Sequence, residues 1–176
     1  MRREIRIAGS GGQGVILGGV LLAYAIGLYE GLEVAQTQSY GPEARGGACQ
    51  AGVVVSDEPI DYVKVDVPDE LIILNEAAFR KYAPLAGERA LILVDSTLVD
   101  VPGDFARNIH ALPATRLAED TLQRFVANMV LLGAFSKVSN IVSLDSLIKA
   151  VVDVVPPRFC DVNIQALRLG NERMRD

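Results

Sequence analysis

The sequence predicts a three-layer α/β/α fold around a mixed, mostly parallel sheet, and three observations carry that reading. The chain starts with a short apolar strand, a glycine-rich turn and a long apolar helix, a Rossmann-like first βα unit. Short buried strands then alternate with helical stretches to the end, the pattern of a sheet covered on both faces. One hairpin-like piece, residues 51–65, adds an antiparallel member.

Composition sets the bounds. Half of the 176 residues are hydrophobic and 22% are charged, which argues against disorder and for a single domain, residues 1–176, with a substantial core. A net charge of -5 without a basic run argues against nucleic acid. The absence of Trp speaks against a base-stacking surface. Residues 7–29 carry no charge, but four glycines, Ser10 and Gln13 occupy the first third. The remaining apolar helix falls short of the roughly 20 residues that span a bilayer. The opening MRREIRI enters strand-like sequence at once, without a leader-like apolar stretch. No membrane partner and a cytoplasmic location are therefore expected.

Taken in order, Ile5, Ile7 and Ala8 make the first buried strand. Gly9, Gly11, Gly12 and Gly14, with Ser10 and Gln13 between them, turn the backbone where side chains would clash. The turn leaves free N–H groups at the helix start, where they and the helix dipole favour an anion. A Cβ at Gly11 or Gly14 should then hurt function more than folding. Gly9, Gly11 and Gly14 fit G-x-G-x-x-G, the dinucleotide fingerprint. That fingerprint expects an acid about 20 residues on, at the end of the second strand. Here the second strand, residues 33–38, has its acid, Glu33, at the start and Gln36 and Gln38 toward the far end. Three readings stay open: an NAD site, a different phosphate-bearing ligand, or glycines that merely permit close helix packing.

The first helix, residues 14–30, stops at Gly31 and is apolar on nearly all faces. It needs the sheet and a second cover, which another subunit could supply. Residues 36–50 follow, punctuated by Gly41-Pro42 and Gly46-Gly47, with Tyr40, Glu43 and Arg45 presented between. They form either a solvated surface loop or a recognition loop beside the glycine turn, at the strand ends where ligands of open α/β sheets gather. Residues 51–56 are a buried strand, and Asp57-Glu58-Pro59 turns the chain toward Ile60, Tyr62, Val63 and Val65.

Residues 71–74 are the next strand; Asn75 caps a helix over 76–82, ended by Pro84. Residues 90–94 lead to Asp95-Ser96. Asn75 and Asp95 read as cap and turn residues on the edge that carries the glycine turn. A short strand at 109–112 precedes helices from 115 into 122 and over 125–135. Asn128, the one strongly polar member of the latter, either meets a buried partner or faces an interface. Ser143 caps a helix over 144–155, Pro156-Pro157 follow it, and 161–169 form a small terminal helix.

The chemical inventory is thin. Cys49 and Cys160 are far apart and form no C-x-x-C, so both read as buried thiols rather than cluster or zinc ligands. His110 reads as structural, and no Ser/His/Asp set, catalytic residue or metal ligand stands out. The inventory suits a binding or lid subunit.

The turn GSGGQG at 9–14 followed by QSYGPEARGG at 38–47 resembles the gamma subunit of 2-oxoacid:ferredoxin oxidoreductases. VVVSDEPID, LPATRLAED and VANMVLLGA extend the similarity over most of the chain. The resemblance implies the fold of the gamma domain of pyruvate:ferredoxin oxidoreductase. It also implies a heteromeric enzyme that oxidatively decarboxylates a 2-oxoacid to an acyl-coenzyme A. Thiamine diphosphate and iron–sulfur clusters would lie in alpha, beta and ferredoxin-like delta subunits, and ferredoxin would accept the electrons. This chain would bind no cofactor tightly by itself. It would cover the active site and help receive coenzyme A, with Gly9, Ser10, Gly11, Gly12, Gln13 and Gly14 near phosphate. Gln38, Ser39, Tyr40, Gly41, Pro42, Glu43, Arg45, Gly46 and Gly47 would face the partner's active site. The loop sequence, with LYEG before it, looks most like 2-oxoglutarate members; 2-oxoisovalerate and pyruvate enzymes, and the small subunit of indolepyruvate oxidoreductase, use similar chains. The contrasting reading is a stand-alone NAD-dependent enzyme or nucleotide-binding regulator.

Overall fold

Two apolar clusters, one on each side of a six-stranded sheet, organise the molecule. The computed structural model describes residues 1–39, 49–105 and 107–175. Its elements are β1 (Arg2–Gly9), α1 (Val15–Ala25), β2 (Glu33–Ser39), β3 (Cys49–Ser56), β4 (Glu70–Ile73), α2 (Glu76–Tyr82), β5 (Leu91–Asp95), β6 (Asn108–Leu112), α3 (Ala114–Thr121), α4 (Ala127–Val138), α5 (Leu144–Val154) and α6 (Pro157–Arg173). Strand order is β2-β3-β1-β4-β5-β6. β1, β4, β5 and β6 pair parallel, while β3 is antiparallel to both β1 and β2. The sheet is thus mixed and mostly parallel, as expected.

Side chains alternate across the sheet as the two-residue strand period requires. Ile5, Ile7, Ile72 and Leu93 join the larger cluster with α1, α4, α5 and α6, whereas Ala8, Leu71, Ile73 and Ile92 join the smaller one beneath α2. The layers are unequal because α2, the 83–90 segment after it and the 96–105 segment supply the second cluster's cover, against α1, α4, α5 and α6 on the other face. At the amino end of β4, the fully buried Glu70 accepts from Arg3 Nη2 and Ser139 Oγ, both at 2.7 Å. Burial still pushes its carboxyl pKa up.

Three sequence expectations need correction. The antiparallel member is β3 itself, not a hairpin of 51–56 with 60–65. Both edges of β3 are already taken by β1 and β2, so residues 57–69 have no ladder to join. Side chains of β1 hold that segment instead: Arg2 Nη2 donates to the Tyr62 carbonyl at 2.9 Å, and Glu4 Oε2 accepts from the Asp66 and Val67 N–H groups at 2.8 and 3.3 Å. The terminal helix starts four residues earlier than 161 and runs to Arg173, because Pro157 sits at its first position, where no N–H is needed. The helix of residues 14–30 is α-helical only to Ala25. Its last turn, Ile26–Glu30, widens to a π-turn before Gly31 closes it at φ 72°. The sheet and α5 cover much of α1, yet Leu17 and Leu28 stay exposed.

Candidate functional site

β1, β2, β4, β5 and β6 run in one direction, so their carboxyl ends share one edge of the sheet. The glycine turn leaves β1 there. Gly12 and Gly14 take positive φ (86° and 74°), and Gly14 is the N-cap of α1 with no side-chain cap. Gly9 has no room for a side chain: a Cβ would lie 2.8 Å from Gln13 Oε1 and 3.0 Å from both Leu74 Cβ and Val15 Cγ2.

Gln13 fastens the turn to the end of β4. Its Oε1 accepts from the Ser10 N–H (2.7 Å), the Asn75 amide (2.9 Å) and the Ser10 hydroxyl (3.0 Å), while its Nε2 donates to the Leu74 carbonyl (3.1 Å). An amide oxygen has two lone pairs, so these contacts use up its capacity. Asn75 in turn caps α2, accepting from Ala78 N–H at 2.8 Å. Asn128 meets a partner within the chain, though a half-buried one: its Nδ2 donates to the Gly14 carbonyl at 3.1 Å, while its Oδ1 is buried without a partner among the described residues. Asp95 is likewise structural. It accepts from the Thr115 N–H (3.0 Å), the Thr115 hydroxyl (2.6 Å) and the Thr97 N–H (3.1 Å), tying the 96–97 turn to the start of α3.

A cleft of about 390 Å³ opens beside the turn, with Gly12 and Gln13 on one side and Thr115, Arg124 and Phe125 on the other. Among the described residues Arg124 pairs with Glu119, at 3.1 Å and largely in solvent. Such pairs hold weakly, so its guanidinium can turn to another anion. The cleft thus joins the backbone of the glycine turn at Gly12 and Gln13, just ahead of the α1 start, to a cation, a combination that can receive an anion.

The second half of the expected site is only partly reached. Gln38 and Ser39 end β2 and line a separate small pocket with Arg6, a residue the sequence reading passed over. Tyr40, Gly41, Pro42, Glu43, Arg45, Gly46 and Gly47 lie outside the described residues. Among the described residues no group of His, Cys, Asp and Glu could hold a metal ion. Cys49 is buried, and burial raises its thiol pKa; Cys160 is only half-buried, unlike the sequence expectation, with Sγ 3.3 Å from the Val155 carbonyl. His110 sits within β6, opposite Leu93. No helix among the described residues is long and apolar enough to cross a membrane.

Topology also bears on the dinucleotide reading. In a doubly wound nucleotide fold the second strand lies beside the first, and its final acid reaches the ribose. Here β3 separates β2 from β1, moving the end of β2 to about 10 Å from β1 at normal strand spacing. The missing acid and the inserted strand both disfavour an NAD site.

Comparison with known proteins agrees with this architecture. The family model for pyruvate ferredoxin/flavodoxin oxidoreductase matches residues 4–173. The 2-oxoglutarate synthase subunit KorC of Methanocaldococcus jannaschii is 46% identical over 98% of this chain and 94% of its own length. The crystal structure of a keto/oxoacid ferredoxin oxidoreductase gamma subunit from Geobacter sulfurreducens superimposes with a TM-score of 0.87 at 38% identity, covering 98% of this chain and 96% of that one. The 2-oxoglutarate:ferredoxin oxidoreductase of Magnetococcus marinus, solved with 2-oxoglutarate, coenzyme A and succinyl-CoA bound, matches with a TM-score of 0.85 at 25% identity, over 97% of this chain but 30% of that longer chain. The chain therefore belongs to the pyruvate ferredoxin/flavodoxin oxidoreductase family, as a gamma subunit of the 2-oxoacid:ferredoxin oxidoreductases, enzymes that act as multi-subunit complexes.

Proposed function

We propose that this subunit covers the active site of a cytoplasmic 2-oxoacid:ferredoxin oxidoreductase and helps bind coenzyme A, with 2-oxoglutarate the favoured substrate of the complex. The single observation that carries the coenzyme A role is the cleft in which the glycine turn at Gly12-Gln13 and the weakly held guanidinium of Arg124 flank one space. The similarity to KorC supports the substrate assignment, and the coenzyme A-bound relative supports the ligand class. Decarboxylation and electron transfer then belong to alpha, beta and ferredoxin-like delta partners that hold thiamine diphosphate and iron–sulfur clusters, with ferredoxin as acceptor. In this division the gamma chain contributes position: the glycine turn and Arg124 hold phosphate, and the 38–47 stretch faces the reacting centre of the partner.

The test is kinetic. In the reconstituted complex, Arg124→Gln should raise KM for coenzyme A about tenfold, equivalent to about 1.4 kcal/mol, while KM for the 2-oxoacid stays unchanged. Unaltered KM for coenzyme A would remove that ligand from this cleft. The isolated chain, given 2-oxoacid, coenzyme A, thiamine diphosphate and a dye acceptor, should form no acyl-coenzyme A.

A further inference from the structure

The face of the sheet opposite α1 carries a second polar pocket, of about 160 Å³, walled by Arg6, Thr37, Gln38, Gln50, Lys64 and Asp66. Arg6 is only 7% exposed. It points from the middle of β1, its Cα level with Gly52 of β3, onto the Tyr82 ring 5.1 Å away. Its Nη2 donates to the Val65 carbonyl, while its Nε is buried with no acceptor. Arg6 joins none of the ion pairs among the described residues.

The nearby acids are engaged elsewhere. Glu4 takes Arg2 at 3.0 Å and two backbone N–H groups, and Asp66 accepts from the Tyr62 hydroxyl at 2.8 Å. Glu4 and Asp66 only partly offset the buried guanidinium of Arg6, whose Nε has no partner among the described residues, and Lys64 adds a second cation at the rim. Desolvation accordingly lowers its pKa. A buried charge without a partner is costly, and an anion beside it recovers part of that cost. Gly52 keeps the floor open: a Cβ there would come within 2.9 Å of both Thr37 Oγ1 and Val65 Cγ2.

We infer that this pocket is an anion site, distinct from the glycine-turn cleft, which takes one compact oxyanion group, a carboxylate or a phosphate, against Arg6 and Lys64. The volume decides the size class, being well below the roughly 300–1,000 Å³ of pockets that enclose a whole drug-sized ligand. Thr37, Ser39 and Gln50, on the Arg6 face of β2 and β3, supply hydrogen-bonding groups around the charge. The rest of the bearing molecule stays outside, in solvent.

The test uses the ¹⁵N-labelled full chain, with the Arg6 Nε–H resonance identified by its loss in Arg6→Gln. Sodium phosphate and sodium acetate are titrated separately against sodium chloride of equal ionic strength. A saturable shift of that resonance with a Kd of about 1 mM or tighter is expected; the arm that saturates at lower concentration tells phosphate from carboxylate. Lys64 is exposed, so Lys64→Gln should fold normally and weaken binding about threefold, within the range for a solvated charge. A shift that chloride reproduces, that never saturates, or that is unchanged in Lys64→Gln would overturn the assignment.

Discussion

At Gly14 two constraints coincide. The backbone is left-handed, and an added Cβ would sit 2.3 Å from Asn128 Nδ2, the atom that donates to the Gly14 carbonyl. At Gly12 the φ is as unfavourable, but a Cβ would meet nothing within 4 Å. Gly12→Ala should therefore lose only the left-handed penalty of about 1–2 kcal/mol. Gly14→Ala should lose that and the cost of displacing Asn128, about 3 kcal/mol or more in total. Urea denaturation of the two variants checks the difference, and Asn128→Ala should recover part of the Gly14→Ala loss. Equal stabilities would mean that Asn128 yields freely. The turn was legible from its glycines, but not what approaches them: the sequence left an NAD site, another phosphate ligand and close helix packing open, and at Gly14 the nearest neighbour is the chain's own α4. Arg6 was illegible for a related reason. In RREIRI it reads as one more strand charge, and it is the return of residues 57–69 over β1, together with Tyr82 of α2, that encloses it.

Among the described glycines, those where α4 and α6 cross leave the least room for a Cβ. A Cβ on Gly133 would lie 1.9 Å from the Leu167 carbonyl oxygen, and one on Gly170 would lie 1.8 Å from the Val130 carbonyl oxygen. Each helix thus presents a glycine to the other's backbone, and a backbone oxygen cannot rotate away as a side chain can. Gly133→Ala and Gly170→Ala should each cost at or above the upper end of the roughly 1–3 kcal/mol usual for overpacking. The double variant should cost less than the sum, since one separation of the helices relieves both clashes. Strictly additive losses in denaturant unfolding would mean that the two contacts are independent. This crossing could not be read beforehand, because a terminal helix ended at Leu169 leaves Gly170 outside it. Strands and helices with clear periods were legible to within a few residues. Strand order was not: β3 reads as a good buried strand, and nothing local says that it inserts between β1 and β2.

The whole molecule is a fold with much architecture and little chemistry of its own, and relatives differ in how they attach it. The KorC relative is a separate chain of similar length, whereas in the Magnetococcus enzyme the matching part is 30% of a longer chain. For this chain we propose docking against partner subunits, with the 38–47 stretch, including Arg45, Tyr40 and Glu43, at that junction. Gly41-Pro42 and Gly46-Gly47 bracket this stretch in the sequence; where such residues restrain the backbone, a planar guanidinium loses less freedom on meeting a carboxylate or phosphate. A solvated Arg/Glu contact is worth only about 0–1 kcal/mol, while truncating one member of a buried charged pair at an interface costs roughly 2–5 kcal/mol. That gap makes Arg45→Ala decisive. The isolated subunit should keep its melting temperature, because an interface residue contributes little before assembly. Binding to the catalytic subunits, or turnover of the complex, should fall by at least about tenfold, equivalent to about 1.4 kcal/mol. Wild-type assembly and turnover together would make the loop ordinary surface and move the junction elsewhere on the molecule.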